Sequence, residues 1–318
     1  MLSKSEREDR IGDVEDVAAG LYGSEKFVGV FRGTGWGGLL SNSLPIEGTR
    51  LDYWPLVPGV ELGQGGPDGH TEKRAEVREV DGVEYLDLSK VHGYEGGQEA
   101  SDIIITGLRK NLRGVILSCG AGSLAGPLPL DEDIEKTLSR SEADIMRKMI
   151  NEAIERDALV ARGGRPLTHM QVGQIGIIRE IAPEMVQTAM HRYASGFTGP
   201  YYAWLHSHDD RYFAFLRKTL MEVQGSAPEV IYADTFGPTW EPPRLQRVLA
   251  RNGVDMVGMS QARDARACAE NNIPGGAIAL TTNGVGVHSH EANQAVGRSK
   301  EDVLLEFAKN AIRNFPRD

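Results

Sequence analysis

The sequence predicts an α/β fold. Three observations carry that expectation: apolar runs of strand length recur along the chain, two of them open directly into glycine-rich turns, and stretches with apolar residues at helical spacing alternate with them. In sheets of this kind ligands bind beyond the C-terminal ends of strands, so the residues just after each apolar run carry the functional information. The most informative stretch is 237–260. Its first half sets an aromatic ring, Trp240, beside a carboxylate, Glu241, in a Gly/Pro-constrained loop. Stacking plus hydrogen-bond acceptance suits a flat heterocycle with N–H edges. Its second half is a short strand, Val254 to Val257, that delivers Gly258, Met259 and Ser260 at its C-terminal end.

Composition narrows the function classes. A chain of 318 residues holds one large α/β domain or two small ones, and 40% hydrophobic residues suffice for a substantial core. A net charge of −10 argues against nucleic-acid and membrane-surface partners, because both are bound by basic surfaces. Cys119 and Cys268 form no CxxC or Cys/His cluster, so neither a disulfide framework nor a zinc site is expected. The charged N-terminus lacks an apolar leader, and no apolar run reaches about 18 residues, the length of a membrane span. A cytoplasmic protein is the default expectation.

Taken in order, residues 5–22 read as a short amphipathic helix. A buried strand, Lys26 to Arg32, follows and runs into Gly33-Thr34-Gly35-Trp36-Gly37-Gly38-Leu39. Gly33, Gly35 and Gly38 have dinucleotide-fingerprint spacing, but Ser41 to Pro45 interrupts the helix that fingerprint needs. An anion turn lined by backbone N–H groups is the simpler reading. A Gly/Pro-rich loop over 59–69 delivers His70, and a hairpin follows, Arg74 to Val80 and Val83 to Leu88, turning at Asp81-Gly82. Beyond it Lys90, His92 and Tyr94 alternate, so in extended chain a cation, an imidazole and a phenol share one face.

A helix over 99–112 precedes the strand Gly114 to Ser118, which opens into a second glycine turn, Cys119 to Leu124. From about 135 to 227 the pattern is helical: Ile145, Met149, Ile150 and Ala153 recur at helical spacing, Arg211 to Val223 is amphipathic, and Pro183 breaks the middle. His206, His208, Asp209 and Asp210 are potential metal ligands. His-x-His at a helix start, however, points its rings to different faces, and no metal is expected. The strand Pro228 to Asp234, the 237–260 stretch, a helix at 260–271 and a strand over Gly276 to Leu280, ending in Thr281-Thr282-Asn283, complete the sheet. In a C-terminal helix, Val303, Leu304, Phe307, Ala308, Ala311 and Ile312 make one stripe.

The order of eight short motifs resembles the trimeric purine nucleoside phosphorylase family. They are Gly33–Leu39, Gly69-His70, His92–Gly96, Gly120-Ala-Gly122, Gly237–Glu241, Gly253–Ser260, Thr281–Asn283 and Ser289–Glu291. The resemblance covers 25–134 and 228–316 and is weak over 135–227, so the expectation is a single domain over 1–318 with a helical insertion at about 135–227. It implies a central mixed β-sheet surrounded by helices and a homotrimer or dimer of trimers. It also implies cleavage of the N-glycosidic bond of 6-oxopurine nucleosides, with inorganic phosphate as co-substrate and no cofactor.

Carried over onto these positions, the resemblance implies phosphate binding by Thr34, His70, Lys90, His92, the backbone near Gly120, and Ser260. Ribose would meet Tyr94, Met259 and His290, with Lys300 as the alternative neighbour of its 5′ end. The base would meet Trp240, Glu241 and Asn283, and His92, Glu241 and Asn283 would act in catalysis. Lys90 stands where the family has an arginine, Thr34 where it has a serine, Cys119 where it has an asparagine and Trp240 where it has a phenylalanine. An ammonium lacks the guanidinium's fork, which implies a weaker grip on phosphate. The competing expectations are a phosphorylase of 5′-modified or 6-aminopurine nucleosides and a nucleoside-binding protein without turnover.

Overall fold

A computed structural model describes residues 2–32, 39, 41–53, 56, 73–90, 97–126, 130, 132–182, 210–235, 241–259, 261–284 and 289–317. Helix α1 (Lys4–Tyr22) starts at a capping box, Ser3 with Glu6, and buries Val14, Ala18 and Tyr22. Strand β1 (Phe27–Arg32) alternates sides: Phe27 and Phe31 join one core layer and Val28 and Val30 the other. Two short strands, β2 (Leu44–Pro45) and β3 (Leu51–Asp52), edge the hairpin of β4 (Arg74–Val80) and β5 (Val83–Ser89). That hairpin turns as the sequence requires, with positive φ at Asp81 and Gly82.

Next come α2 (Gly97–Leu108), β6 (Leu112–Ser123), α3 (Arg140–Ala161), β7 (Ile175–Ala182), α4 (Asp210–Gln224), β8 (Glu229–Asp234) and α5 (Pro243–Arg251). The chain ends with β9 (Met256–Gly258), α6 (Ala262–Glu270), β10 (Gly275–Asn283), α7 (His290–Ser299) and α8 (Glu301–Arg313). The strand order is β10-β7-β8-β9-β6-β1-β5-β4-β2, and β10 also pairs with β6. Strands β6, β9, β8, β7 and β10 therefore close into a ring, from which β1, β5, β4 and β2 extend as an open sheet. β5, β1, β6 and β10 run parallel, whereas β9 runs against β6 and β7 against β10. The sheet is mixed, as expected.

Helices α1, α2 and α6 cover one face, where Ile103, Ile104, Ala265 and Cys268 pack on Phe31, Val115 and Leu117. On the other, α4 and α8 press Leu216, Leu220, Phe307 and Ile312 onto Val28, Ile116 and Ile278. No helix among the described residues is long and apolar enough to cross a membrane.

Three local expectations are corrected. Cys119 to Ser123 is not a turn: β6 continues through it, because β10 and then β9 supply ladder partners along its whole length. The segment 135–227 is not helical throughout, since β7 lies in it. The Ile-Gly-Ile-Ile start of β7 is rich in β-branched residues, and its backbone is paired on both sides, by β10 and β8. Helix α3 forms, but Ile145 and Met149 are 58% and 65% exposed while Ala143, Ile154 and Ala158 are buried. Small residues let α3 approach the Leu124, Leu249 and Val257 cluster closely, so the face it buries is not its most apolar stripe.

Candidate active site

The register of β6 decides where the site forms. Its residue Leu117 pairs with Phe31 of β1, Gly120 with Leu280 of β10, and Gly122 with both Asn283 of β10 and Val257 of β9. Because β9 runs against β6, its last residue, Gly258, points back to the stretch of β6 beside which β10 ends. Strand ends of opposite direction thus meet at one place. Gly120, Met259 and Asn283, all expected in the site, are brought to this end of the sheet, with Gly258 beside them.

Asn283 lies against the backbone of β6. A Cβ at Gly122 would sit 2.7 Å from its Nδ2, so only glycine leaves room for the amide. Thr282 Oγ1 donates to Asn283 Oδ1 at 2.9 Å, and Asn283 Nδ2 donates to the Gly284 carbonyl at 3.3 Å. A side-chain carbonyl and an amide N–H are thereby oriented from below at a strand end.

Glu241 is buried, and burial pushes its carboxyl above the ordinary value despite a hydrogen bond from Thr235 Oγ1 to its Oε1. The Thr235 N–H also donates to the Gly258 carbonyl at 2.7 Å, which ties the Glu241 side to the β9 end. The Glu241 carbonyl accepts from Gln246 Nε2 at 3.0 Å.

Lys90 follows β5 and is buried. Its Nζ lies 3.8 Å from Asp264 Oδ2, and its carbonyl accepts from Lys73 Nζ at 2.9 Å. Cys119 sits nearby on β6, and burial pushes its thiol up to about 12, with Lys90 pulling it down and Asp234 and Asp264 pushing it up. A thiol so placed is packing, not a nucleophile.

His290 is the first residue of α7, seven positions beyond Asn283; Ser289 caps that helix, its Oγ accepting from the Ala292 N–H at 3.1 Å. Lys300 joins α7 to α8, and its stem lies over Gly173, where an added Cβ would meet its Cε at 2.6 Å. Thr34, His70, His92, Tyr94, Trp240, Ser260 and the His290 side chain lie outside the described residues, as does the His206–Asp209 group. Among the described residues no group of three or more His, Cys, Asp or Glu side chains is placed to hold a metal ion.

Sequence reasoning missed four residues of this region. Asp234, Thr235, Tyr232 and Asp264 are all buried and hydrogen-bonded beneath the strand ends. The one signal for them was position: Asp234 and Thr235 stand between an apolar run and a Gly/Pro loop. A separate groove of about 460 Å³, lined by Ile154, Glu155, Leu159, Leu167 and His169 among others, contains none of the expected site residues.

The sequence pattern of the phosphorylase superfamily matches residues 164–313. Over these residues the chain is similar to that superfamily. The match spans β7 to α8 and so includes Glu241, Met259, Asn283 and the missed Asp234 and Thr235. It also takes in residues 164–227, part of the stretch 135–227 over which the motif resemblance is weak. No curated protein matches the sequence significantly.

Solved phosphorylase structures share the whole fold. Isoform 2 of the purine nucleoside phosphorylase from Schistosoma mansoni, in complex with cytosine and ribose-1-phosphate, is 17% identical with a TM-score of 0.67, over 98% of each chain. The Schistosoma mansoni purine nucleoside phosphorylase in complex with adenosine is 16% identical with a TM-score of 0.64, over 98% of each chain. A Schistosoma purine nucleoside phosphorylase in complex with hypoxanthine is 14% identical with a TM-score of 0.64, over 97% of this chain and 98% of that one. The likeness in fold therefore extends over the N-terminal part, which the sequence pattern does not reach.

Proposed function

We propose that this chain is a nucleoside phosphorylase that cleaves 6-oxopurine nucleosides with inorganic phosphate, releasing the free base and ribose 1-phosphate. The observation that carries the reading is the supported pair at the strand ends: the Glu241 carboxyl, buried and held by Thr235, and the Asn283 amide, held by Thr282. A carboxylate accepts the N1–H of a 6-oxopurine. An amide pairs with N7 and the 6-oxo group as negative charge flows into the departing base. The relatives with this fold include complexes with hypoxanthine, adenosine, and cytosine with ribose-1-phosphate, which supports a nucleoside or base as the ligand class.

In the proposed reaction a phosphate oxygen forms a bond to C1′ as the N-glycosidic bond breaks and its electron pair leaves with the base. The sugar passes through an oxocarbenium-like state that the phosphate dianion itself stabilises. Positioning and electrostatics carry such a step, so it needs no cofactor and no covalent nucleophile. Lys90 supplies buried positive charge for phosphate, together with Thr34, His70, His92, the Gly120 backbone and Ser260. Met259, Tyr94 and His290 take the ribose, and Trp240 stacks on the base. Action as a homotrimer in the cytoplasm belongs to the same reading.

The test is ultraviolet detection of free base from inosine, guanosine, adenosine and methylthioadenosine, with and without phosphate. Phosphate-dependent release from inosine and guanosine is the expected result. Release confined to the 6-amino substrates overturns the base assignment. Binding of all four without release would make the protein a nucleoside binder.

A further inference from the structure

Among the buried acids without an assigned role, Asp234 stands at a strand end beside the site. Asp234 ends β8, is 1% exposed, and has no ion pair with a lysine or arginine among the described residues. Its charge is met by three hydrogen bonds. Oδ1 accepts from the Gln261 N–H at 3.0 Å and from Tyr232 Oη at 2.5 Å, and Oδ2 accepts from the Ala262 N–H at 2.9 Å. The two N–H groups belong to the start of α6, where a helix leaves donors unsatisfied and carries partial positive charge.

Its neighbour holds the other end of the same turn. The Thr235 N–H binds the Gly258 carbonyl at 2.7 Å, while its hydroxyl binds Glu241. Two consecutive residues at the end of the adjacent strand thus hold Gly258 on one side and Gln261 and Ala262 on the other. The clamp leaves no slack, because a Cβ at Gly258 would lie 2.4 Å from Tyr232 Oη, the hydroxyl that also binds Asp234.

We infer that Asp234 is a positioning residue that fixes Gln261 and the start of α6, and so sets where the chain leaving β9 is presented to phosphate and ribose, while Thr235 links Gly258 to the base carboxylate Glu241. This rests on the proposed phosphorylase reading of the site. Asp234→Asn keeps size but turns an amide N–H toward one of the two backbone donors, so the start of α6 shifts while the sheet beneath remains.

The test compares Asp234→Asn with the parent by calorimetric binding of inorganic phosphate and, separately, of hypoxanthine, alongside steady-state kinetics and thermal melting. Phosphate affinity is expected to fall by about tenfold, as a small misplacement of a binding group does, with hypoxanthine affinity within about twofold. Equal loss of both ligands, the mark of general loosening, overturns the inference, as does unchanged phosphate affinity. Should Asp234→Asn fail to fold, Tyr232→Phe removes one of the three donors, and the same selective loss of phosphate affinity is expected from it. A parent protein that binds phosphate but releases no base sinks the phosphorylase reading and leaves this comparison standing. A parent that binds no phosphate overturns the inference itself.

Discussion

Lys90 and Asp264 show what a single contact does to the chemistry available at this site. Both are buried, and the acid also accepts from Ser101 Oγ at 2.8 Å. Burial pushes the Asp264 carboxyl up to about 6, more than Lys90 and Ser101 pull it down, with Asp234 pushing the same way as burial. A carboxyl raised on folding holds its proton in the native protein at a pH where the unfolded chain has lost it. This group's contribution to stability is therefore greatest at low pH and is lost as pH rises from about 4 to about 6. Asp264→Asn removes that loss, so the stability of the variant relative to the parent is expected to increase across this window, by on the order of 2 kcal/mol. Urea unfolding of both proteins at several pH values measures it, and a pH-independent difference refutes it. The sequence displayed Lys90 only beside His92 and Tyr94, beyond a strand. Its partner comes from a helix far along the chain, and no local pattern announces such a pairing.

At the scale of elements, α8 and α3 mark the reach of periodicity. The stripe of α8 buries as spaced: Leu304, Phe307, Ala308, Ala311 and Ile312 all lie in the core against Leu216 and Leu220 of α4. Phe307 is fully buried, so Phe307→Ala is expected to cost about 3–5 kcal/mol, read as a lower urea midpoint with unchanged slope. A cost below about 1 kcal/mol would mean that the cluster refills the cavity. In α3 the same rule found the helix and, through Ile150, part of its buried side, but Ile145 and Met149 are exposed. An apolar stripe states that a face can be buried, whereas close approach to a neighbouring cluster favours small residues such as Ala143 and Ala158. The glycine run after Cys119 misled for a related reason. Glycines there serve a strand pressed against the Asn283 side chain, and a local reading cannot separate that use from a turn.

Across the whole molecule, ring closure through the β10–β6 pairing joins N-terminal and C-terminal strands into one sheet. Neither half can complete its ladder alone, so far-ultraviolet circular dichroism and tyrosine absorbance are expected to report one coincident urea transition; two separate transitions would show independent units. By itself the sequence determined the α/β class and most of the strands and helices. These follow from apolar period, turn residues and side-chain type, all of which are local. Only the tertiary structure decided that β9 runs against β6, that Asp234 bonds to Gln261 and Ala262 and Thr235 to Gly258, and that Lys90 is partnered by Asp264. Those facts depend on contacts between residues distant in the chain, whose energies are settled by burial and register once the sheet has closed.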